Sequence, residues 1–503
     1  MNIDFATCYT IALNGFQAKK IIVQAHISNG LPSFNIVGLG DKAINESKER
    51  IRAALHFIGL SLPAKKITIN LAPANLEKIG THFDLPITIS LLCALKIIDK
   101  AKINNYIICG ELSLDGSINH TKAILPAAIY ANKLEKSLIC SEKNAYEASI
   151  SGNKNIFVFY GLIDLIKFLK NEINYNYNQI KPISKTINYP DFANIKGLEI
   201  AKRAFEIAAI GRHNILLIGS PGSGKSMLAK AIRSIMPEPS KEELLEIAMI
   251  KSITTNIENN HKIFEIPFRA PHHSSSTASL VGGGQKIQAG EITKAHNGIL
   301  FLDELPEFRN DVLESLRQPL ENKYINISRV QNSVKLPANF QLIAAMNPCK
   351  CGYIQIKEKR CSKAPICSEN YLKKISGPIL ERIDIIITIP EYKYELFENN
   401  KQISESSEVI KNRVIKARVK QIETLKELKA KYNSDLEIKD FENKIRISGK
   451  AKEILKKANE KFKLSNRNNI KILRVAKSIT DLNNSDIIGS KELLEALNYK
   501  INQ

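Results

Sequence analysis

The stretch NILLIGSPGSGKSMLAK, residues 214–230, constrains this chain more than any other. Within it Gly219-Ser220-Pro221-Gly222-Ser223-Gly224-Lys225-Ser226 fits GxxxxGK[ST] in full. An apolar run, Ile215 to Ile218, precedes it, and a helix is predicted from Met227. A loop between a buried strand and a helix is the context that this pattern requires. The glycines let backbone N–H groups turn inward around a β-phosphate, at a helix N-terminus that favours anions. Lys225 reaches the β- and γ-phosphates, and the Ser226 hydroxyl is a Mg²⁺ ligand. The implied cofactors are ATP and Mg²⁺, in an α/β unit.

A second half-site follows in GILFLDELPEF, 298–308. Its apolar run reads as a buried strand that delivers Asp303 and Glu304 at its end. Asp303 is placed to hold Mg²⁺ through the water shell that this ion retains, and Glu304 to orient and deprotonate the attacking water. The run FQLIAAMN is expected to lie between the two motif strands. It ends in Asn347, which could contact the γ-phosphate and the water. In SGPILERIDI, 376–385, Arg382 follows an apolar helical turn. It could serve its own site, a neighbour's site, or a surface ion pair.

At 503 residues the chain needs more than one core. Residues 1–170 alternate β-like runs with amphipathic helices, one of them from Asp41, an N-cap, through Ile44, Ile51, Ala54, Leu55 and Ile58. Asp115-Gly116 marks a hairpin turn. Residues 171–190 are polar and proline-punctuated, which reads as a linker. The α/β unit around the phosphate loop spans 191–395. Residues 396–503 are helical, lysine-rich and free of β-like runs, a separate helical domain. No apolar run approaches the ~18 residues of a membrane span, and MNIDFATCYT has no secretion pattern. A cytoplasmic protein without a membrane partner is expected.

Net charge is +21, with 72 Lys+Arg against 51 Asp+Glu. That balance permits a nucleic-acid partner; AT-rich coding, which favours Lys, Ile and Asn, also produces it. Gly38-Leu39-Gly40-Asp41-Lys42-Ala43 matches the dinucleotide pattern GxGxxA. The next strand ends in NLAP without the acidic residue that the ribose requires, so a tight strand-to-helix turn explains it better. Cys8, Cys93, Cys109 and Cys140 are scattered, reduced core residues.

FRAPHHSSSTASLVGGG (268–284), AHNGILFLDELPEF, AAMNPCKCG and ISGPILERID, in this order, resemble the magnesium-chelatase-subunit-I-like AAA+ ATPases, and within them the ComM/YifB competence group. The resemblance spans nearly the whole chain. It implies an α/β multidomain protein with a Lon-protease-like (S5-type) α/β N-terminal domain, an AAA+ P-loop core and a chelatase-type C-terminal helical lid. It makes Asn347 the sensor-1 residue and Arg382 an arginine finger reaching the adjacent subunit of a homo-hexameric ring. In LSNRNNIKILRVAKSITDL it makes Arg467 the sensor-2 residue, with Arg474 as the fallback.

Cys349, Cys351, Cys361 and Cys367 crowd into 19 residues. Four close thiols in a reducing compartment favour Zn²⁺ over disulfides. The spacing CxC-x9-C-x5-C departs from the tighter second pair of the family, and reduced thiols in a lysine-rich loop are the alternative. His272 and His273 belong to the family pattern; on an extended chain adjacent side chains would face opposite ways, which argues against metal.

The Lon-like resemblance raises a protease reading, which needs a serine nucleophile in a small-residue turn. GTHFDLPITISLL has His82 and Phe83 there instead. KYINISRVQNSVKLPANF reads as a hairpin whose Lys323, Arg329 and Lys335 could track a phosphate backbone in a ring's pore. The functional expectation is an ATP-hydrolysing ring on single-stranded or branched DNA, a branch-migration helicase in recombination of incoming or damaged DNA. A metal-insertion chaperone of the magnesium-chelatase type and a protein-remodelling machine are the competing classes.

Overall fold

The computed structural model describes residues 4–175, 189–255, 263–283, 288–328, 333–352, 354, 364–390 and 404–501. The chain divides into two compact units. One comprises Met1–Lys185, Lys241–Glu265 and Val330–Val334; the other comprises Thr186–Ser240, Ile266–Arg329 and Lys335–Gln503.

The first unit is built on a seven-stranded mixed sheet. Its strands are β1 (Asp4–Asn14), β2 (Gln17–Ser28), β3 (Ser33–Val37), β4 (Lys66–Ala72), β5 (Tyr106–Ile108), β8 (Ser137–Ser141) and β9 (Ile156–Phe159), in the order β3-β4-β2-β1-β5-β8-β9. The alternation of β2 drives its inner residues Ile21, Val23, Ala25 and Ile27 into the core. β1 pairs antiparallel with β2 along its whole length. Helix Lys42–Phe57 starts at Asp41, whose carboxylate accepts from the Ile44 amide at 3.1 Å, and buries Ile44, Ile51, Ala54 and Leu55. Helix Asp84–Ala94 is apolar all round and wholly buried, as such a helix must be. A hairpin, β6 (Glu111–Leu112) and β7 (Ile118–Asn119), turns at Gly116 with φ +78°. The GxGxxA stretch is a tight turn: a Cβ on Gly38 would lie 2.3 Å from the Leu71 carbonyl oxygen.

Two segments fold otherwise than their position suggests. The start of the expected linker is packed, with Tyr175 among Phe157, Phe159 and Phe168 and its hydroxyl accepting from the Val158 amide at 2.8 Å. Helix Lys241–Thr254, inside the expected ATPase boundaries, groups with the first unit. Its Ala248, with Ile263, packs with Leu125 and Tyr146. Ser252 donates to the buried Glu147 carboxylate, which also accepts from the Leu125 amide at 3.1 Å and the Asn144 side chain at 3.0 Å.

The second unit holds a five-stranded parallel sheet. β10 (Ile215–Gly219), β11 (Phe268–Arg269), β14 (Ile299–Leu302), β17 (Gln341–Met346) and β18 (Ile385–Ile389) take the order β11-β14-β17-β10-β18. Two separate ribbons pair β12 (Gly282–Gly283) with β13 (Gln288–Ala289), and β15 (Tyr324–Ser328) with β16 (Ser333–Pro337). Beyond the sheet lie helices Ser407–Leu425, Gly449–Phe462, Asn466–Leu482 and Ser490–Ile501. A short parallel pair, β19 (Arg446–Ile447) and β20 (Ile487–Ile488), interrupts these helices, contrary to the all-helical expectation; two-residue strands carry no legible period. The helical region does not close on a core of its own. Val414, Ile472 and Ile479 belong to the same apolar cluster as Phe205, Ile215 and Leu217.

Asp84, fully buried at the head of its helix, accepts from Arg50 Nε at 2.7 Å, from the Ser47 hydroxyl and from the Leu112 amide at 3.3 Å. Asp84→Ala strands the Arg50 guanidinium, and removing one partner of such a pair costs about 3–5 kcal/mol. Chemical denaturation is expected to show that loss in the transition of the first unit, with ATP binding retained.

Candidate nucleotide site

The C-terminal edge of the parallel sheet gathers the predicted nucleotide residues, as expected of an open α/β sheet. β10 runs directly into the phosphate loop. Gly222 and Gly224 have φ of +78° and +86°, a region that β-carbon-bearing residues avoid. A Cβ at Gly222 would meet nothing within 4 Å, whereas one at Gly219 would lie 2.7 Å from the Ser223 hydroxyl. The loop is therefore tight behind and open in front. Helix Lys225–Ala231 begins immediately after it.

Lys225 folds its ammonium over this loop. Nζ donates to the carbonyls of Gly219 at 2.7 Å and Ser220 at 2.8 Å, and stands 3.3 Å from the Asn347 side-chain oxygen. Burial lowers its pKa from the ordinary lysine value, against the pull of Asp303 and Glu304. β17 lies between β10 and β14, and brings Asn347 to Lys225 from the adjacent strand end. Asp303 follows β14 and accepts from the Ser226 hydroxyl at 2.7 Å. Two hard oxygen donors meeting at a helix N-terminus beside a lysine fit a hydrated Mg²⁺ on a polyphosphate. Glu304 is in the left-handed region at φ +53° and half exposed.

His273 was not assigned this place by its spacing. Its Nδ1 lies 3.3 Å from the Glu304 carboxylate. The His272 and His273 rings also lie together, centroids 4.1 Å apart, which corrects the expectation that they diverge. The chain turns here, with the Ser275 amide donating to the His272 carbonyl at 2.9 Å; the alternation of an extended strand does not apply.

Arg382 lies elsewhere. β18 pairs with β10 from Ile385↔Ile215 to Ile389↔Gly219. Arg382 precedes the first of these pairs and the phosphate loop follows the last. At ~3.3 Å per residue, four strand steps place them at least about 13 Å apart along the sheet. The Arg382 guanidinium is bonded to Glu321 and to the Pro378 carbonyl at 2.6 Å, and its Nε is buried without a partner among the described residues. Arg467, two-thirds exposed, joins it: its guanidinium is 3.8 Å from Glu321 and 3.5 Å from Glu381. Arg474 donates instead to the Leu436 carbonyl at 2.7 Å. Lys225, Ser226, Asp303, Glu304 and Asn347 thus form one group, and Arg382 with Arg467 another.

Cys349, Cys351 and Cys367 bring their sulfurs within 4.8 Å of one another; Cys361 lies outside the described residues. Burial, then the neighbouring Cys351, raises the Cys349 thiol. Gly352 in this loop backs onto the phosphate loop, since a Cβ there would lie 2.7 Å from the Pro221 ring. The β15–β16 hairpin exists, but its described cations are engaged. Lys323 is bonded to Asp435, and Lys335 sits over the Tyr324 ring at 3.6 Å. Arg329 lies outside the described residues.

Three family models match the chain: "Magnesium chelatase, subunit ChlI" over residues 191–397, "Subunit ChlI of Mg-chelatase" over 23–144, and "Magnesium chelatase, subunit ChlI C-terminal" over 404–500. The chain is 38% identical to competence protein ComM of Haemophilus influenzae over 502 residues, covering 99% of this chain and 97% of that protein. It is also 38% identical to YifB of Escherichia coli over 496 residues, covering 98% and 96%. A magnesium-chelatase 67 kDa subunit of Chlorobaculum tepidum is 25% identical over 159 residues, only 31% of this chain. Similarity of this depth along the full length, with the P-loop strand, acidic strand and sensor strand adjacent in one parallel sheet, means that the chain belongs to the ComM/YifB family of magnesium-chelatase-like AAA+ proteins.

Proposed function

We propose that the protein is an ATP-hydrolysing homo-hexameric ring motor that acts on single-stranded or branched DNA and drives branch migration during recombination of incoming or damaged DNA. The observation that carries this reading is the division of the catalytic groups between the two ends of one sheet. Arg382 is too far along the strands to reach its own phosphate loop, so a phosphate that it serves has to belong to another subunit. A neighbour in a ring supplies it, and a closed ring gives each site one finger.

Within a subunit the loop amides and Lys225 hold the phosphates. Ser226 and Asp303 would hold Mg²⁺, which when bound neutralises charge on the β- and γ-oxygens. Glu304 orients and deprotonates the attacking water, with His273 against its carboxylate. Asn347 bridges from the sensor strand to Lys225. Arg382 of the adjacent subunit then neutralises charge on the transferring phosphoryl group, a contribution of ~10³ or more in rate. Arg467, on the same acidic partner, accompanies it.

DNA as the load is supported by the charge of +21 and by the likeness to a protein named for competence. The 67 kDa magnesium-chelatase subunit matches too little of the chain to favour metal insertion. Proteolysis finds no support in the first unit. His82 is buried with its ring nitrogen 2.9 Å from the Ile11 carbonyl oxygen, and Phe83 is fully buried, so packing occupies the turn where a Lon-type nucleophile would stand. A non-proteolytic, Lon-like binding or assembly domain is the corresponding reading for residues 1–170. The soft thiolate set of Cys349, Cys351 and Cys367, with Cys361, suits Zn²⁺. Its work would be to fix the loop that Gly352 presses on Pro221.

Experiments on turnover, on metal content and on DNA test these readings. Lys225→Ala abolishes ATP binding or turnover, whereas Glu304→Gln binds ATP and scarcely hydrolyses it. Arg382→Ala is inactive alone but regains turnover when mixed with Lys225→Ala subunits; no recovery in any mixture excludes a finger acting in trans. Metal analysis of protein purified without chelator should find about one zinc per chain, lost in Cys351→Ser; its absence from the wild type removes the zinc reading and leaves the nucleotide site untouched. With ATP and Mg²⁺ the protein should convert a synthetic four-way junction into two duplexes, with binding that falls steeply with salt. Changing Arg329 and Lys335 to Ala should weaken that binding and flatten its salt slope. Brisk turnover without DNA binding or DNA stimulation would replace the DNA motor with protein remodelling.

A further inference from the structure

The backbone on which Arg382 stands is held from the helical region. Lys471, on helix Asn466–Leu482, sends its Nζ to the carbonyls of Glu381 and, at 3.2 Å, Ile383, the residues on either side of Arg382. Lys500, on the last helix, donates to the same Ile383 carbonyl at 3.0 Å. The Arg382 carbonyl accepts from the Asn214 side chain at 3.0 Å. Three successive carbonyls are thereby fixed, two of them by ammonium groups that belong to the lid.

Lys471 is placed there at a cost. Its side chain is 10% exposed, and its charge lies 3.6 Å from the equally buried Asp384. Burial pushes the Lys471 pKa down to about 8 even with Asp384 beside it. Burial would raise the Asp384 carboxyl, yet Lys471, His213 and the Asn214 amide hold it well below the usual range. An apolar side chain of similar volume would often be as stabilising as such a pair. What it could not do is bond the two carbonyls that bracket Arg382.

We propose that Lys471 is a positioning residue for Arg382, through which the lid sets where the finger enters the neighbouring subunit's site. The assignment rests on the trans reading of Arg382 above. Its consequence is that a rotation of the lid moves the finger without touching the subunit's own phosphate loop. Lys471 therefore belongs functionally with Arg382 and not with Lys225, although all three share one chain.

Subunit mixing separates the possibilities. In uniform rings Lys471→Met should keep ATP affinity within about twofold while turnover falls; a displaced finger can cost about 10²-fold. Lys471→Arg, which keeps the charge and donors, should recover part of that rate. Mixed with Lys225→Ala, Lys471→Met should regain turnover as Arg382→Ala does. Mixed with Arg382→Ala it should not, because both lack the same half of the site. Recovery in that last mixture, or a loss of ATP affinity as large as the loss of rate, overturns the proposal. If Lys471→Met fails to fold by circular dichroism, the pair Lys471→Met with Asp384→Asn removes the stranded charge and faces the same mixtures and outcomes. Arg382→Ala with Lys225→Ala is the control: its failure removes the trans finger itself, whereas its success with a wrong result for Lys471 removes only the present assignment.

Discussion

A parallel strand has two ends, and a side chain cannot be at both. This limit organises the second unit. Every strand of its sheet points the same way, so the loops after β10, β14 and β17 converge at one edge and bring Lys225 to Asn347 and Ser226 to Asp303. The segment before β18 emerges at the other edge with Arg382. The phosphate site and the arginine are separated by the length of the strands that support both.

The same limit explains where the buried charges are. Asp384, at the strand start, receives the Asn214 amide and stands against His213 and Lys471. His213 reaches Ser478 on helix Asn466–Leu482 at 2.8 Å. These bonds join the arginine edge of the sheet to the helices, and the apolar cluster runs continuously through the same junction. Together with the bonds from Lys471 and Lys500 they tie the helices to the segment that carries Arg382.

Much of this was legible in the residues. The P-loop pattern, the acidic pair after an apolar run and the sensor strand were each readable because strand and loop chemistry are local. Asp41 as an N-cap and Asp115-Gly116 as a turn were readable for the same reason. Strands β8 and β9 were harder, since short apolar runs in a mixed sheet have no period that separates them from helix. The contact of His273 with Glu304 was not readable, because it depends on a turn after β11 and on that strand lying beside β14. Nor was the packing of helix Lys241–Thr254 with the first unit, since it follows from which apolar face finds a partner and not from its place in the chain.

By itself the sequence determined the local pieces: a phosphate-loop pattern, a hydroxyl after its lysine, an acidic pair closing an apolar run, and an arginine nearby in the chain. It did so because each of these is carried by a few consecutive residues whose backbone geometry they themselves dictate. Only the tertiary structure decided which of them share a site. Arg382 is 35 residues from Asn347 in the chain, yet the sheet sends them to opposite edges, while Lys471 and Asp384, 87 residues apart, meet. Strand order and direction are set by the burial of the whole apolar core, and no short stretch contains that information.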